Sequence, residues 1–294
     1  MKTRTLFLFI LWIPVLLLGQ EEAIDYAEGR DTYHQFENGQ VAYLLADRVN
    51  IRDKASTEGA IIANLGIGTA VTIVRRSSYL LRLNGFETNW YKVLFEDQGI
   101  EKKGYVWGGL IAEGRVQSTK DKTIHFLYGI ASYKKQSNET YPKYRLKLQV
   151  RACRANQELA KLEFETSGFL EIFHGFGNYG DRGLKKIQDV LEFNESQERC
   201  AGFNGNTVIF WDGNVLHKVV TLYPGSDVPY YATDDLIFPA DKGGVAGQII
   251  RDQQEGWYDI DKEKDIVESH KKVAYIWTGS SLKQTKVLAD KSTD

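Results

Sequence analysis

The stretch HGFGNYG, His174 to Gly180, carries Gly175, Gly177 and Gly180 in the spacing Gly-x-Gly-x-x-Gly. In a dinucleotide site such glycines let backbone amides approach a pyrophosphate, but only between a parallel strand and a helix N-terminus. The flanking residues are β-type, so the stretch is expected to be a loop. Further on, Asp259, Asp261, Glu263 and Asp265 alternate in YDIDKEKD. Two readings stand for them, a calcium loop of hard oxygen ligands and a solvated acidic loop. Calcium takes roughly six to eight oxygens wrapped by a sharp turn, usually made by glycine. This stretch has no glycine, and Lys262 and Lys264 compete for the carboxylates, which favours the solvated loop.

The five histidines are His34, His125, His174, His217 and His270. Neither Gly-x-Ser-x-Gly nor His-Glu-x-x-His occurs, so no nucleophile aimed by a base is recognisable. His174 with Cys200 imitates a thiol dyad, yet both are expected to be structural. No catalytic residue, metal ligand or cofactor is assigned, and the chain is expected to be non-enzymatic. Its aromatic residues offer a different chemistry. Trp90 and Tyr91 leave one strand on opposite faces, so one ring is expected in a core and the other at a surface. An exposed planar ring covers the apolar face of a sugar or a peptide side chain with little loss of entropy.

What could position such groups follows from composition and pattern. A chain of 294 residues, 43% hydrophobic, has room for about two domains. Its 37 basic and 39 acidic residues nearly cancel, so no global field favours nucleic acid. Lys2 and Arg4 precede an apolar run from Leu6 to Leu18, interrupted by Pro14 and ended by Gly19. This is the layout of a signal peptide over residues 1–19, too short to span a bilayer core of about 30 Å comfortably. An uncleaved anchor is the competing reading. The expectation is a secreted or periplasmic protein that is not transmembrane. In an oxidising compartment Cys153 and Cys200 either pair as a disulfide or remain two buried thiols, and sequence leaves that choice open.

From Val41 to Ala112 short β-type runs (AYLLADRVNIR, AIIANL, TAVTIV, NWYKVLF, KGYVWGGLIA) alternate apolar and polar residues between turns at Gly66 and Gly68. A small closed barrel is expected. The ordered set Val49-Asn50-Ile51-Arg52, Ser56-Thr57-Glu58-Gly59, Leu65-Gly66-Ile67-Gly68-Thr69, Trp90-Tyr91-Lys92-Val93 and Gly104-Tyr105-Val106-Trp107 resembles the bacterial SH3 (SH3b) family over residues 38–114. Two features depart from it: Lys54-Ala55 stands where the family has a Gly-Pro turn, and SSYLLRLNGFET lengthens the connection before Trp90. The resemblance implies an SH3b-like barrel that binds a cell-wall glycan or peptide, with Asn50, Arg52, Trp90, Tyr91 and Trp107 as candidate ligand-binding residues.

The polar stretch Gly114–Thr123 is expected to be a boundary. Beyond it, residues 121–288 form a larger β-rich domain of unrecognised type. Tyr144, Leu146, Leu148, Val150 and Ala152 alternate with charged or polar residues as in a strand wet on one side, which places Cys153 on the polar-looking face. TVIFWDGNVLHK and VAYIWTGSSLKQ echo each other as Trp-x-Gly-x-x-Leu hairpins, so the domain is read as an antiparallel meander or a partial propeller-like array. Leu184, Ile187 and Leu191 suggest the single helix, with IQDVLEF as a competing strand. The overall expectation is a mainly β protein of the bacterial cell envelope that recognises peptidoglycan, a related glycan or an envelope protein. A cell-wall hydrolase with unfamiliar catalytic residues and a protein-binding scaffold are the alternatives.

Overall fold

The computed structural model describes residues 35–135, 144–166, 173–196 and 204–292. The apolar N-terminal segment, His34 and Cys200 lie outside the described residues. Those residues form antiparallel β-sheets without an α-helix, as the alternation of apolar side chains requires. No helix among them is long and apolar enough to cross a membrane.

Six strands make the first sheet: β1 (Val41–Tyr43), β2 (Val49–Arg52), β3 (Ile61–Leu65), β4 (Ala70–Leu83), β5 (Phe86–Asp97) and β6 (Ile100–Trp107). Their spatial order is β1-β4-β5-β6-β2-β3, and the sheet curls into a half-barrel rather than the closed barrel expected, because the end strands β1 and β3 do not pair. Val49, Ile51, Val71, Ile73, Tyr91 and Val93 fill its concave side. The stretch SSYLLRLNGFET, expected as a long connection, is instead the end of one long hairpin. Leu83 pairs with Phe86 across Asn84 and Gly85, both at positive φ (51° and 79°), the two-residue turn that Asn-Gly favours. A side chain at Gly85 would overlap the Tyr133 carbonyl, so glycine is required for the hairpin tip to sit against the chain at Tyr133. The Tyr133 amide donates to the Asn84 carbonyl there at 3.0 Å.

Three meanders follow, each pairing strands in chain order. The second sheet holds β7 (Gly114–Gln117), β8 (Ile124–Lys135), β9 (Tyr144–Arg154) and β10 (Gln157–Glu165). The third holds β11 (Phe173–Asn178), β12 (Asp189–Ser196), β13 (Asn204–Trp211) and β14 (Leu216–Leu222). The fourth holds β15 (Gly225–Asp227), β16 (Tyr230–Ile237), β17 (Ile249–Asp259), β18 (Lys264–Trp277) and β19 (Leu282–Ser292). The polar stretch expected as a boundary therefore contributes β7 and the turn into β8.

The third sheet is the middle layer. Leu191, Phe193, Ile209 and Trp211 face the second sheet, whereas Val190, Val208 and Phe210 join Phe238 and Ile249 beneath the fourth. Two dry faces explain why TVIFW is a continuous apolar run rather than an alternating one. The expected helix at Leu184–Leu191 is a turn followed by β12. Leu184 and Ile187 drop from the turn into one core, whereas Leu191 on β12 faces the other, so a turn and a strand together imitate helical spacing. Gly175 and Gly177 lie within β11 rather than in a loop, and Gly180, at φ 69°, turns the chain into antiparallel β12.

The echoed hairpins are structural equivalents. Trp211 pairs with Leu216 and Trp277 with Leu282, with Gly213 and Gly279 at φ 103° and 105°. Trp277 packs edge-on against Phe210 at 5.1 Å, which stacks the second hairpin on the first.

A buried carboxylate ties the second sheet to the third. Asp189 accepts hydrogen bonds from the Ser118 hydroxyl (2.5 Å), the Thr119 amide and hydroxyl (2.7 Å each) and the Asn178 amide group (2.8 Å). Removing the acceptor leaves the buried Ser118 hydroxyl without its partner and unties Thr119 from the third sheet. Asp189→Ala is expected to lower the unfolding free energy by roughly 3 kcal/mol in urea titrations, within the range for breaking a buried charged network. A loss below about 1 kcal/mol would refute this hub role.

Candidate binding site

A cleft of about 490 Å³ opens on the half-barrel between the β2–β3 loop, the outer part of β4, and β5 and β6. Asp53, Lys54, Ser56 and Thr57 form one wall, Tyr79 and Leu80 the other, with Trp90 and Tyr105 between them. Arg52 shapes the first wall by donating from Nη1 to the Gly59 carbonyl at 2.6 Å, while the Asp53 amide donates to the Ala60 carbonyl at 3.0 Å. The loop is thereby folded back onto β3.

The second wall depends on an irregularity in β4. Arg76 pairs with Tyr91 and Leu80 with Asn89, leaving Ser77, Ser78 and Tyr79 as a wide bulge. Bulges redirect side chains, and this one leaves Tyr79 54% exposed at the mouth of the cleft. The Asn89 side chain donates to the Ser77 carbonyl at 2.9 Å, and the Tyr79 amide to the Ser77 hydroxyl at 3.1 Å. Both bonds fix the bulge. Beyond it, the Trp107 indole donates to the Leu81 carbonyl at 2.9 Å. At Tyr105, the hydroxyl lies 3.4 Å from Arg75 Nη2 and the ring centroid 5.7 Å from Lys92 Nζ.

The residues expected to bind ligand are distributed differently from the expectation. Trp90, Tyr91 and Trp107 are only 4%, 1% and 7% exposed. Tyr91 lies inside the half-barrel against Phe36, and burial is the main cause of its raised phenol pKa. Trp90 and Trp107 share a core with the second and third sheets. The face of β5 expected to meet solvent is thus covered by the following sheets, and only the part of Trp90 lining the cleft remains available. Arg52 acts behind the loop. Asn50 accepts a hydrogen bond from Asn64 on β3 at 2.8 Å and does not line the cleft. Tyr79 and Tyr105 were not among the candidate ligand-binding residues, although the Asn-Gly pair signals the hairpin that carries Tyr79.

Other groups considered for chemistry are placed elsewhere. His217 pairs with Asp212 at 2.8 Å, and His270 with Asp252 at 2.8 Å. In the acidic stretch, Lys262 takes Asp259 through both its amide (3.1 Å) and its ammonium (2.8 Å). Among the described residues no group of three or more His, Cys, Asp or Glu side chains could hold a metal ion. Cys153 is a free thiol on β9, buried with Leu45, Ile67 and Leu127 between the half-barrel and the second sheet. Its face of β9, expected to be polar, is therefore dry at that end. No protein-family model and no curated protein matches the chain.

Burial pushes the Cys153 pKa up to about 11. A thiol held protonated in the fold contributes stability that is complete below the unfolded pKa near 9 and is lost as pH rises through about 11. In a Cys200→Ser variant, a disulfide reagent at pH 8 should label Cys153 only after denaturant is added. Labelling of the native protein within minutes would contradict this placement.

Proposed function

We propose that the half-barrel is a bacterial SH3 domain and that the chain is an exported, non-enzymatic binding protein of the cell envelope. Its ligand is the peptide or glycan of peptidoglycan, held in the cleft between Tyr79 and Tyr105. The observation that carries this reading is the cleft itself: one wall ends in a largely exposed tyrosine raised on a bulge, and the opposite wall bears Asp53 and Lys54. Aromatic rings cover the apolar faces of sugars or side chains, while neighbouring acidic and basic groups suit the mixed charges of a short peptide. The apolar run after Lys2 and Arg4 supports export to the periplasm or beyond. The described histidines paired with carboxylates, His217 and His270, do not line this cleft.

The test is retention of the full chain on purified peptidoglycan. Tyr79→Ala and Tyr105→Ala should each weaken binding by about tenfold, the effect of removing one ring contact, while leaving the melting temperature nearly unchanged for Tyr79. Trp90→Ala should instead lower the melting temperature. Absence of retention would end the cell-wall reading, and release of soluble wall fragments would replace it with a hydrolase. A protein crosslinked at Tyr79 without affinity for the wall would point to an envelope-protein partner.

A further inference from the structure

A second cleft, of about 350 Å³, lies at the junction of the third and fourth sheets, remote in sequence from the half-barrel. Its lining is mainly apolar: Leu184 and Ile187 from the turn before β12, Pro239, Ala240 and Ala246 from the β16–β17 connection, and Trp277 at the end of β18. Trp277 is fixed rather than mobile. Its ring meets Phe210 edge-on at 5.1 Å and His217 at 5.4 Å, and its remaining surface lines the cleft.

The charges around this cleft are unbalanced. Lys185 and Lys186 both line it, both are exposed, and neither has a hydrogen-bond or ion-pair partner among the described residues. The neighbouring acids are already engaged: Asp181 with Lys120 at 2.6 Å, Asp241 with Arg182 at 2.6 Å, and Asp212 with His217 at 2.8 Å. A flat apolar wall beside two uncompensated ammonium groups suits a ligand with an anionic group next to an apolar face.

We infer that this cleft binds a small carboxylate carrying a flat apolar face, with the carboxylate between Lys185 and Lys186 and the flat face against Trp277. Two sources share that chemistry, an acidic sugar and an aryl carboxylate. The site is independent of the tyrosine-walled cleft and does not rest on cell-wall binding.

The test uses the full chain, with the indole N–H resonance of Trp277 assigned by its loss in Trp277→Phe. Glucuronate and benzoate are titrated beside their neutral counterparts, glucose and benzyl alcohol. A saturable shift of the Trp277 resonance by one or both carboxylates, weakened about tenfold in Lys185→Gln/Lys186→Gln, is expected. Response to glucuronate alone assigns an acidic sugar, and response to benzoate alone an aryl carboxylate. Equal response to the neutral counterparts, unchanged affinity in the double lysine variant, or no saturable shift with either carboxylate would overturn the inference. The exposed lysines lie outside the core, so their replacement tests the site without disturbing the fold.

Discussion

Trp90 and Tyr91 are consecutive on β5, so their rings leave the strand in opposite directions, and both arrive in apolar surroundings. Tyr91 closes the interior of the half-barrel with Val93 and Phe95, while Trp90 enters the core that also holds Phe126, Phe193 and Trp211. From Thr88 to Tyr91 the strand has no wet face and cannot be detached from either neighbour without exposing large aromatic area. Truncating a single buried ring of this kind costs about 3–5 kcal/mol, comparable to a large part of the 5–15 kcal/mol by which typical proteins are stable. The half-barrel and the second and third sheets are held together by this constraint, and the fourth sheet joins them through the separate core of Val190, Val208 and Phe210 with Phe238 and Ile249.

Other contacts across the same junction reinforce it. Leu45 and Ile67 pack on Cys153 and Leu127, and Gly66 lies so close to the β9–β10 turn that a side chain there would overlap the Asn156 carbonyl. Glycine at position 66 is therefore set by a neighbouring sheet, beyond any role in its own turn. The tyrosine-walled cleft is a consequence of this arrangement. Its floor is the edge of a structural tryptophan, and one wall is pinned by the Trp107 indole, so ligand-facing groups are carried by residues locked in the core. Such support keeps a binding surface in place without a dedicated frame.

Much of the architecture was legible in the sequence because alternation reports which strand faces are dry. The half-barrel strands and the two Trp-x-Gly-x-x-Leu hairpins follow from that pattern, whereas the choice between a meander and a propeller-like array did not. It fails where both faces are dry, as on β5, because the residues that cover the outer face come from strands far along the chain. It failed again at Leu184–Leu191, where a turn and a strand gave helical spacing by coincidence. Tyr79 was hidden for a further reason: its exposure depends on a three-residue bulge, and a change of register leaves no periodic signal. Asn84-Gly85 was readable as a hairpin turn, and would have shown that the stretch around Tyr79 is sheet.

Native-state hydrogen exchange tests the shared core most directly, because it measures the opening free energy of each strand within the intact chain. If β5 is locked between two cores, the amides of Val93 on β5 and Ile209 on β13 open with the same free energy and respond equally to low denaturant. Exchange of Val93 through a separate, lower-energy opening while Ile209 stays protected would contradict the account, since the half-barrel would then be an autonomous body merely resting against the sheets.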